Sequence, residues 1–364
     1  MKPRKVDLFK PNVFIDEWLK ELKKTFNSGM LAQAGKVQEF EQQFCRTFDY
    51  NYCVSLNSGT AALELAYHLV GIGPGDKVLT PVLTCTATNI PLVNRGAKIE
   101  FVDIDKRLTM DYEDFHRKVD SDTKAIVVVN LGGVYTDFRI FEDAKQMNIP
   151  VIIDAAQQLG VGLGGLGDYI CYSFQAIKHF TTGDGGMLVV RTEKDFERAK
   201  KLRWFGIDRD RRRKMNFEFS PSDREMCMNM DEPGFKLHMN DIMATMGLVG
   251  LEHTWPSLTR RSEIADIYRK KFDGKIQCIY GGSLWLFCIM LPDRDKKMGL
   301  IKDAGIGCDL VHLRNDIFTP FGGKRQNLPN MNEIEKEYLY IPIHTKMFKT
   351  DAKYVADVVL GVIK

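Results

Sequence analysis

The 364-residue sequence has no apolar run long enough to span a bilayer, and none follows its basic start, Met1-Lys2-Pro3-Arg4-Lys5-Val6-Asp7. Neither a membrane span nor a signal peptide is therefore expected. Net charge is also scarce: an excess of +3 is too small in a chain of this size to argue for nucleic acid or a membrane surface as partner. No C-x-x-C spacing occurs among the eight cysteines, Cys45, Cys53, Cys85, Cys171, Cys227, Cys278, Cys288 and Cys308. Free thiols of a reducing cytoplasm fit that scatter better than a disulfide framework or a zinc site, and no metal site is expected. Internal repeats and low-complexity tracts are missing too. The remaining composition, 44% hydrophobic and 27% charged, is that of a globular chain with room for two domains.

From about residue 53 short β-branched runs alternate with amphipathic segments. Val78-Leu79-Thr80, Ile99 to Val102, Ala125 to Val129, Val151 to Ile153, Ile170 to Phe174 and Met187 to Val190 are expected as strands. Their continuous apolar character is what a sheet covered on both faces requires. Ala62, Leu65, Ala66 and Leu69 recur at the spacing of one helical face. The class expected is α/β, with a largely parallel sheet flanked by helices. After about residue 240 the pattern changes. Asp241 to Lys271 predicts a long helical stretch, bent or broken near Pro256, and Leu284 to Leu291 predicts shorter strands. The division drawn is a large domain over 1–245 and a smaller C-terminal α/β domain over 246–364. Asp208 to Asp231, polar and without periodicity, is expected to be a long loop.

Two residues carry the chemistry. Lys178 follows the apolar run Ile170-Cys171-Tyr172 and precedes Gly183-Asp184-Gly185-Gly186, which places it on a turn leaving the sheet. A lysine so placed can have a lowered pKa and form a Schiff base with an aldehyde cofactor. Asp154 ends the strand Val151-Ile152-Ile153, where ligand sites of open α/β sheets lie. A carboxylate there can keep the ring nitrogen of pyridoxal phosphate protonated, making the ring an electron sink. Asn57-Ser58-Gly59-Thr60-Ala61-Ala62 precedes a helix and suits a phosphate, although for this stretch taken alone a plain N-cap by Asn57 or Ser58 is the favoured reading. Ser173 offers a further hydroxyl.

These stretches, in this order, resemble the DegT/DnrJ/EryC1/StrS family of nucleotide-sugar aminotransferases, which are fold type I pyridoxal-phosphate enzymes. The resemblance is carried by Ser28-Gly29, Glu39-Phe40-Glu41, Asn57 to Leu63, Gly71 to Asp76, Asp154-Ala155-Ala156-Gln157, Ser173 to Lys178 and Gly183 to Gly186. Leu202 to Asp208 and Met239-Asn240-Asp241 with Ala244 and Gly247 continue it. It implies a fold type I transferase in which Lys178 bonds the cofactor and moves protons, and Asp154 meets the ring nitrogen. Gln157 would bond the ring hydroxyl, and Ser58, Gly59, Thr60 and Ser173 the phosphate. It also implies a homodimer whose active sites the neighbouring subunit completes. Where the family often has a partner asparagine, Gly234-Phe235-Lys236 stands, so Lys236 is either a charged phosphate contact or a surface charge. Where an aromatic ring usually covers the cofactor, the chain has Cys85. Related dehydratases carry histidine in place of the lysine; Lys178 therefore favours transamination, with His179 a packed neighbour rather than a base.

The resemblance further implies L-glutamate as donor and a nucleotide-linked 4-keto-6-deoxyhexose as acceptor, giving a 4-amino sugar of the viosamine or perosamine type. A 3-keto sugar, or a regulatory protein that binds pyridoxal phosphate without turnover, are the alternatives. Arg209, Arg211 and Arg212, within the run Arg209 to Lys214, suit a nucleoside diphosphate, although such a run is commonly a solvated surface. His312 and Arg314 could face the sugar, and His238 the cofactor. Trp255 and Trp285 are read as core packing.

Overall fold

The computed structural model describes residues 4–160, 162–214 and 220–363, without the side chains of Arg212, Arg213, Lys214 and Cys227. The role expected of Arg212 thus lies outside the described residues. The large sheet contains β1 (Tyr52–Leu56), β2 (Lys77–Pro81), β3 (Lys98–Val102), β4 (Thr123–Val129), β5 (Val151–Asp154), β6 (Tyr169–Ser173) and β7 (Gly186–Val190). Their spatial order is β1-β7-β6-β5-β4-β2-β3, and β7 alone runs against the rest. The apolar runs are continuous because both faces are covered: Ile126 and Val128 of β4 enter one core, Ala125 and Val127 the other. Val151 and Ile153 of β5 divide from Ile152 in the same way. The six expected strands are present, and β1 joins them at the edge, paired with β7.

A smaller antiparallel sheet of β8 (Cys278–Ile279), β9 (Phe287–Met290) and β10 (Tyr338–Ile341) packs against the helices Thr254–Phe272 and Lys349–Val362. Val6 bonds by its backbone to Gly305 and Gly307, tying the N-terminal segment to this sheet's core. Leu284–Leu286, expected as strand, is the turn leading into β9; Leu284 has φ +49, which strand backbone does not adopt. The long helical stretch breaks at His253, between Asp241–Glu252 and Thr254–Phe272.

The expected long loop at 208–231 instead holds helices Arg209–Lys214 and Pro221–Met228. The second is started by a capping box in which Ser220 accepts from the Asp223 amide at 3.2 Å and Asp223 accepts from the Ser220 amide at 3.2 Å, with Pro221 in the first turn. Trp255, read as core, is 51% exposed at the start of its helix. No helix among the described residues is long and apolar enough to cross a membrane.

Candidate active site

Parallel strands bring their carboxyl ends to one edge. Val129 of β4 pairs with Asp154 of β5, Asp154 with Cys171 of β6, and Leu56 of β1 with Gly186 of β7. A cavity of about 490 Å³ opens there, and Ser58, Gly59, Thr60, Cys85, Asp154, Gln157, Ser173, Lys178 and His312 all line it.

Lys178 sits at the tip of a loop closed by the backbone bonds Phe174 N–H to Gly185 O (2.8 Å) and Thr182 N–H to Phe174 O (3.0 Å). Phe174 and Phe180, stacked at 4.9 Å, root that loop in the core against Phe40. The Lys178 Nζ lies 4.0 Å from the centre of the Trp285 ring. Burial pushes its amine down to about 8, against the opposing pull of Asp154 and Cys85. Asp154 is buried, and its carboxylate accepts from the Thr88 hydroxyl at 2.8 Å and the Ala156 amide at 3.0 Å. Burial pushes the Asp154 carboxyl upward, while those two donors and Lys178 favour the ionised form.

At the other end Ser58 caps the helix Gly59–Val70, accepting from the Ala61 amide at 3.0 Å. The N-cap and the phosphate readings thus fall on the same residue. A Cβ on Gly59 would lie 2.7 Å from the Ser173 Cβ and 3.1 Å from its Oγ. The close approach that glycine permits leaves two hydroxyls and a helix N-terminus facing one space, a cradle of the kind a phosphate needs. With a buried carboxylate and a lysine of lowered pKa in the same cavity, the residues present fit pyridoxal phosphate.

Gln157 and His312 meet at 2.7 Å between their Nε2 atoms. Since Gln157 Oε1 accepts from the Gly132 amide at 2.6 Å, its nitrogen donates to the imidazole, which must be neutral there. Burial agrees, pushing His312 down to about 4. The preceding Val311 has φ +60, a strained conformation for a β-branched residue that sits where the chain enters the cavity wall. Cys85 stands at the N-cap of helix Thr86–Asn94, its thiol pushed up by burial. The aromatic rings lining the cavity are instead Phe9 and Trp285, stacked at 5.4 Å.

Other expected residues lie elsewhere. Arg314 is not free to face a sugar: it is 1% exposed and holds Asp316 by two hydrogen bonds of 2.7 and 2.6 Å. His179 is buried and donates to the Ser283 carbonyl at 2.8 Å, consistent with a packed neighbour. Lys236, Arg209 and His238 gather around Trp204 outside the cavity, with Lys236 Nζ 3.2 Å and the Arg209 guanidinium 4.2 Å from its ring centre. His238 is pushed down to about 4 by burial and then by those cations. Arg211 reaches the Met226 sulfur at 3.0 Å. Among the described residues lining the cavity, Lys178 is the one cation, beside Asp154, Asp184 and Asp309. Phe9, Thr88, Trp285 and Asp309 were not foreseen as site residues; only Thr88 had a local signal, in the Thr84 to Thr88 run before the helix.

A largely parallel sheet with a lysine on a loop, an aspartate at a strand end and two hydroxyls at a helix start is an arrangement suited to a pyridoxal-phosphate-dependent enzyme of fold type I. The DegT/DnrJ/EryC1/StrS aminotransferase family model matches residues 14–360, and the chain belongs to that family. It is 30% identical to the UDP-4-amino-4,6-dideoxy-N-acetyl-beta-L-altrosamine transaminase of Campylobacter jejuni (strain 81-176), over 94% of this chain and 94% of that one. It is 27% identical to the UDP-4-amino-4-deoxy-L-arabinose–oxoglutarate aminotransferase of Shewanella sediminis, over 92% of each. The structure of Spr1654 from Streptococcus pneumoniae in its PMP form superposes with a TM-score of 0.88 at 25% identity, covering 99% of this chain and 98% of that one.

Proposed function

We propose that this enzyme transfers an amino group from L-glutamate to C4 of a nucleotide-linked 4-keto-6-deoxyhexose, giving a 4-amino-4,6-dideoxy sugar. The observation that carries aminotransfer is the placing of Lys178 and Asp154 in one cavity with the Gly59–Ser173 cradle. The position of amination and the donor are supported by the names of the two relatives, both built on UDP-4-amino sugars and one on oxoglutarate, the keto acid that glutamate leaves.

When bound, pyridoxal phosphate supplies an aldehyde for amine exchange and a ring that accepts electrons from the donor's Cα. Ser58, Gly59, Thr60 and Ser173 would hold its phosphate, Gln157 its ring hydroxyl, and Asp154 would keep a proton on its ring nitrogen. Lys178 would be the amine that anchors it, and as a free amine its Nζ would take the proton from the donor's Cα, a task that needs an amine with a pKa near the working pH. Burial provides that, with Lys178 at about 8.

One cation is too few for a cofactor phosphate, a sugar diphosphate and a donor dicarboxylate. We assign the missing charge to a second copy of this chain, whose Lys236, and Arg209 beside it, would complete the site. In this reading residues 1–245 hold the cofactor and 246–364 form the small domain.

An absorption spectrum tests the first half. Added pyridoxal phosphate should give the visible band of lysine-bound cofactor, which L-glutamate should convert to the pyridoxamine form. No band in the wild-type protein, or a Lys178→Ala variant that transaminates at the wild-type rate, would overturn the assignment. Return of the band with a nucleotide 4-keto-6-deoxyhexose, and amination at C4 by NMR of the product, would support the acceptor. Response to a 3-keto sugar alone would refute it.

A further inference from the structure

The segment that turns into β9 grips the lysine loop from both sides of Lys178. His179 Nε2–H donates to the Ser283 carbonyl at 2.8 Å, and the Trp285 indole N–H donates to the Ile177 carbonyl at 3.1 Å. Ser283 also donates by its hydroxyl to the Gln157 carbonyl at 3.2 Å, so the same segment touches the turn that follows Asp154. Arg261, buried, donates to the carbonyls of Leu284 (3.0 Å) and Ile343 (2.8 Å) and fixes the segment to its own domain. Leu284 takes φ +49 there, and the strained turn presents the Trp285 ring to the cavity.

We propose that Trp285 is a positioning residue for Lys178: its ring face holds the ε-ammonium when the amine is free, and its N–H fixes the turn that carries the amine. The inference rests on reading Lys178 as the cofactor-bonding amine, and extends it to a residue from the C-terminal part of the chain. A released lysine has four rotatable bonds and loses its place unless something receives it. Nothing polar is needed for that: an ammonium is attracted to an aromatic face, and Nζ stands 4.0 Å from this one. A carboxylate in the same place would raise the amine's pKa strongly and spoil it as a base; an indole favours the ammonium by far less. Phe9, stacked on the ring at 5.4 Å, keeps the indole from turning away.

The test is run on the cofactor-free protein. Competitive acetylation with acetic anhydride, followed peptide by peptide by mass spectrometry across pH, gives the midpoint at which Lys178 becomes reactive. Removing the ring face with Trp285→Leu should lower that midpoint by about half a unit to one unit, the worth of a partly buried cation–π contact. Trp285→Phe, which keeps a face and loses the N–H, should lower it less than Trp285→Leu does. Should the leucine variant not fold, fluorinated tryptophans retain the shape while withdrawing charge from the ring face, and the midpoint must then fall with each added fluorine. A midpoint that stays or rises in Trp285→Leu, or a flat fluorine series, overturns the proposal. If wild-type protein forms the lysine-bound cofactor band while these midpoints do not move, this inference alone fails. If the band never forms, the reading of Lys178 fails first.

Discussion

Gly59→Ala adds one methyl group to the cradle, and the structure sets the strain it meets. The new Cβ would stand 2.7 Å from the Ser173 Cβ and 3.3 Å from its Cα, where carbon atoms prefer about 3.5–4.0 Å. Roughly one ångström must be opened. Ser173 cannot yield it cheaply, since it ends β6 in register with Gly186 of β7. Gly186 in turn is pressed on Ser58, whose carbonyl oxygen a Cβ there would approach to 2.2 Å. Relief comes by moving the helix start away from the strand, which spreads the hydroxyls of Ser58 and Ser173 and the amides of Gly59 and Thr60. Overpacking of this kind costs about 1–3 kcal/mol, so cofactor affinity should fall about 5- to 150-fold if the strain is felt on closing around the phosphate. Gly35→Ala is the matched control: it also opens a helix, at Gly35–Phe48, but has nothing within 4 Å of its Cβ. Titration of cofactor-free protein with pyridoxal phosphate, followed by absorbance, compares the two. Equal affinity in wild type, Gly59→Ala and Gly35→Ala would show that the phosphate does not use this cradle.

Asp154→Asn should still bond the cofactor through Lys178 but lose roughly 10²-fold or more in the half-reaction with glutamate, because a carboxamide cannot hold the ring proton; stopped-flow absorbance measures it, and a wild-type rate would remove Asp154 from its role. Arg314→Met should cost about 3–5 kcal/mol in denaturant unfolding, since Asp316, itself 0% exposed, is left buried without its partner. Its KM for the sugar nucleotide should stay near wild type, whereas a rise in KM with unchanged stability would restore Arg314 as a substrate contact. Acid should weaken the fold in a definite window: His312 and His344 are pushed down to about 4 by burial, so they stay neutral folded while the unfolded chain takes up protons below about 6.5. The unfolded state then binds more protons, and stability falls as pH drops from about 6.5 towards 4. Thermal melts of cofactor-free protein across that range check this, and a flat profile would contradict it.

What could be read before folding was whatever the chain states locally. Val151 to Asp154 announces a buried strand with a carboxylate at its end, and Ile170 to Lys178 a strand and a turn with a lysine on it. Those are properties of consecutive residues, and the family resemblance added the order in which they meet the cofactor. Trp285 does pack in a core, 1% exposed, as its apolar run implies, but such a run looks the same whether the indole's face meets a leucine or an ammonium. Its position against Lys178 depends on how the C-terminal sheet docks, which no spacing records. Arg314 misled in the opposite way, since a polar run suggested a ligand contact and its partner Asp316 stood two residues on. The helix Pro221–Met228 was missed for want of periodicity, although Ser220-Pro221-Ser222-Asp223 carried a legible start signal.

The site's two ionisable partners need opposite treatment from the same burial, and the fold supplies it through what it places around each. Burial alone would drive Asp154 towards the neutral acid and Lys178 towards the neutral amine. Asp154 has to resist that to keep a ring proton, and it is given two fixed donors, the Thr88 hydroxyl and the Ala156 amide. Thr88 is held in turn by Thr84, whose hydroxyl lies 2.8 Å from its own. Lys178 has to yield to it in order to act as a base, and the carboxylate of Asp154 acts on it through space rather than by a hydrogen bond. A carboxylate held by donors and an amine resting on an indole are therefore two halves of one arrangement: the first keeps its charge, and the second can give its proton up.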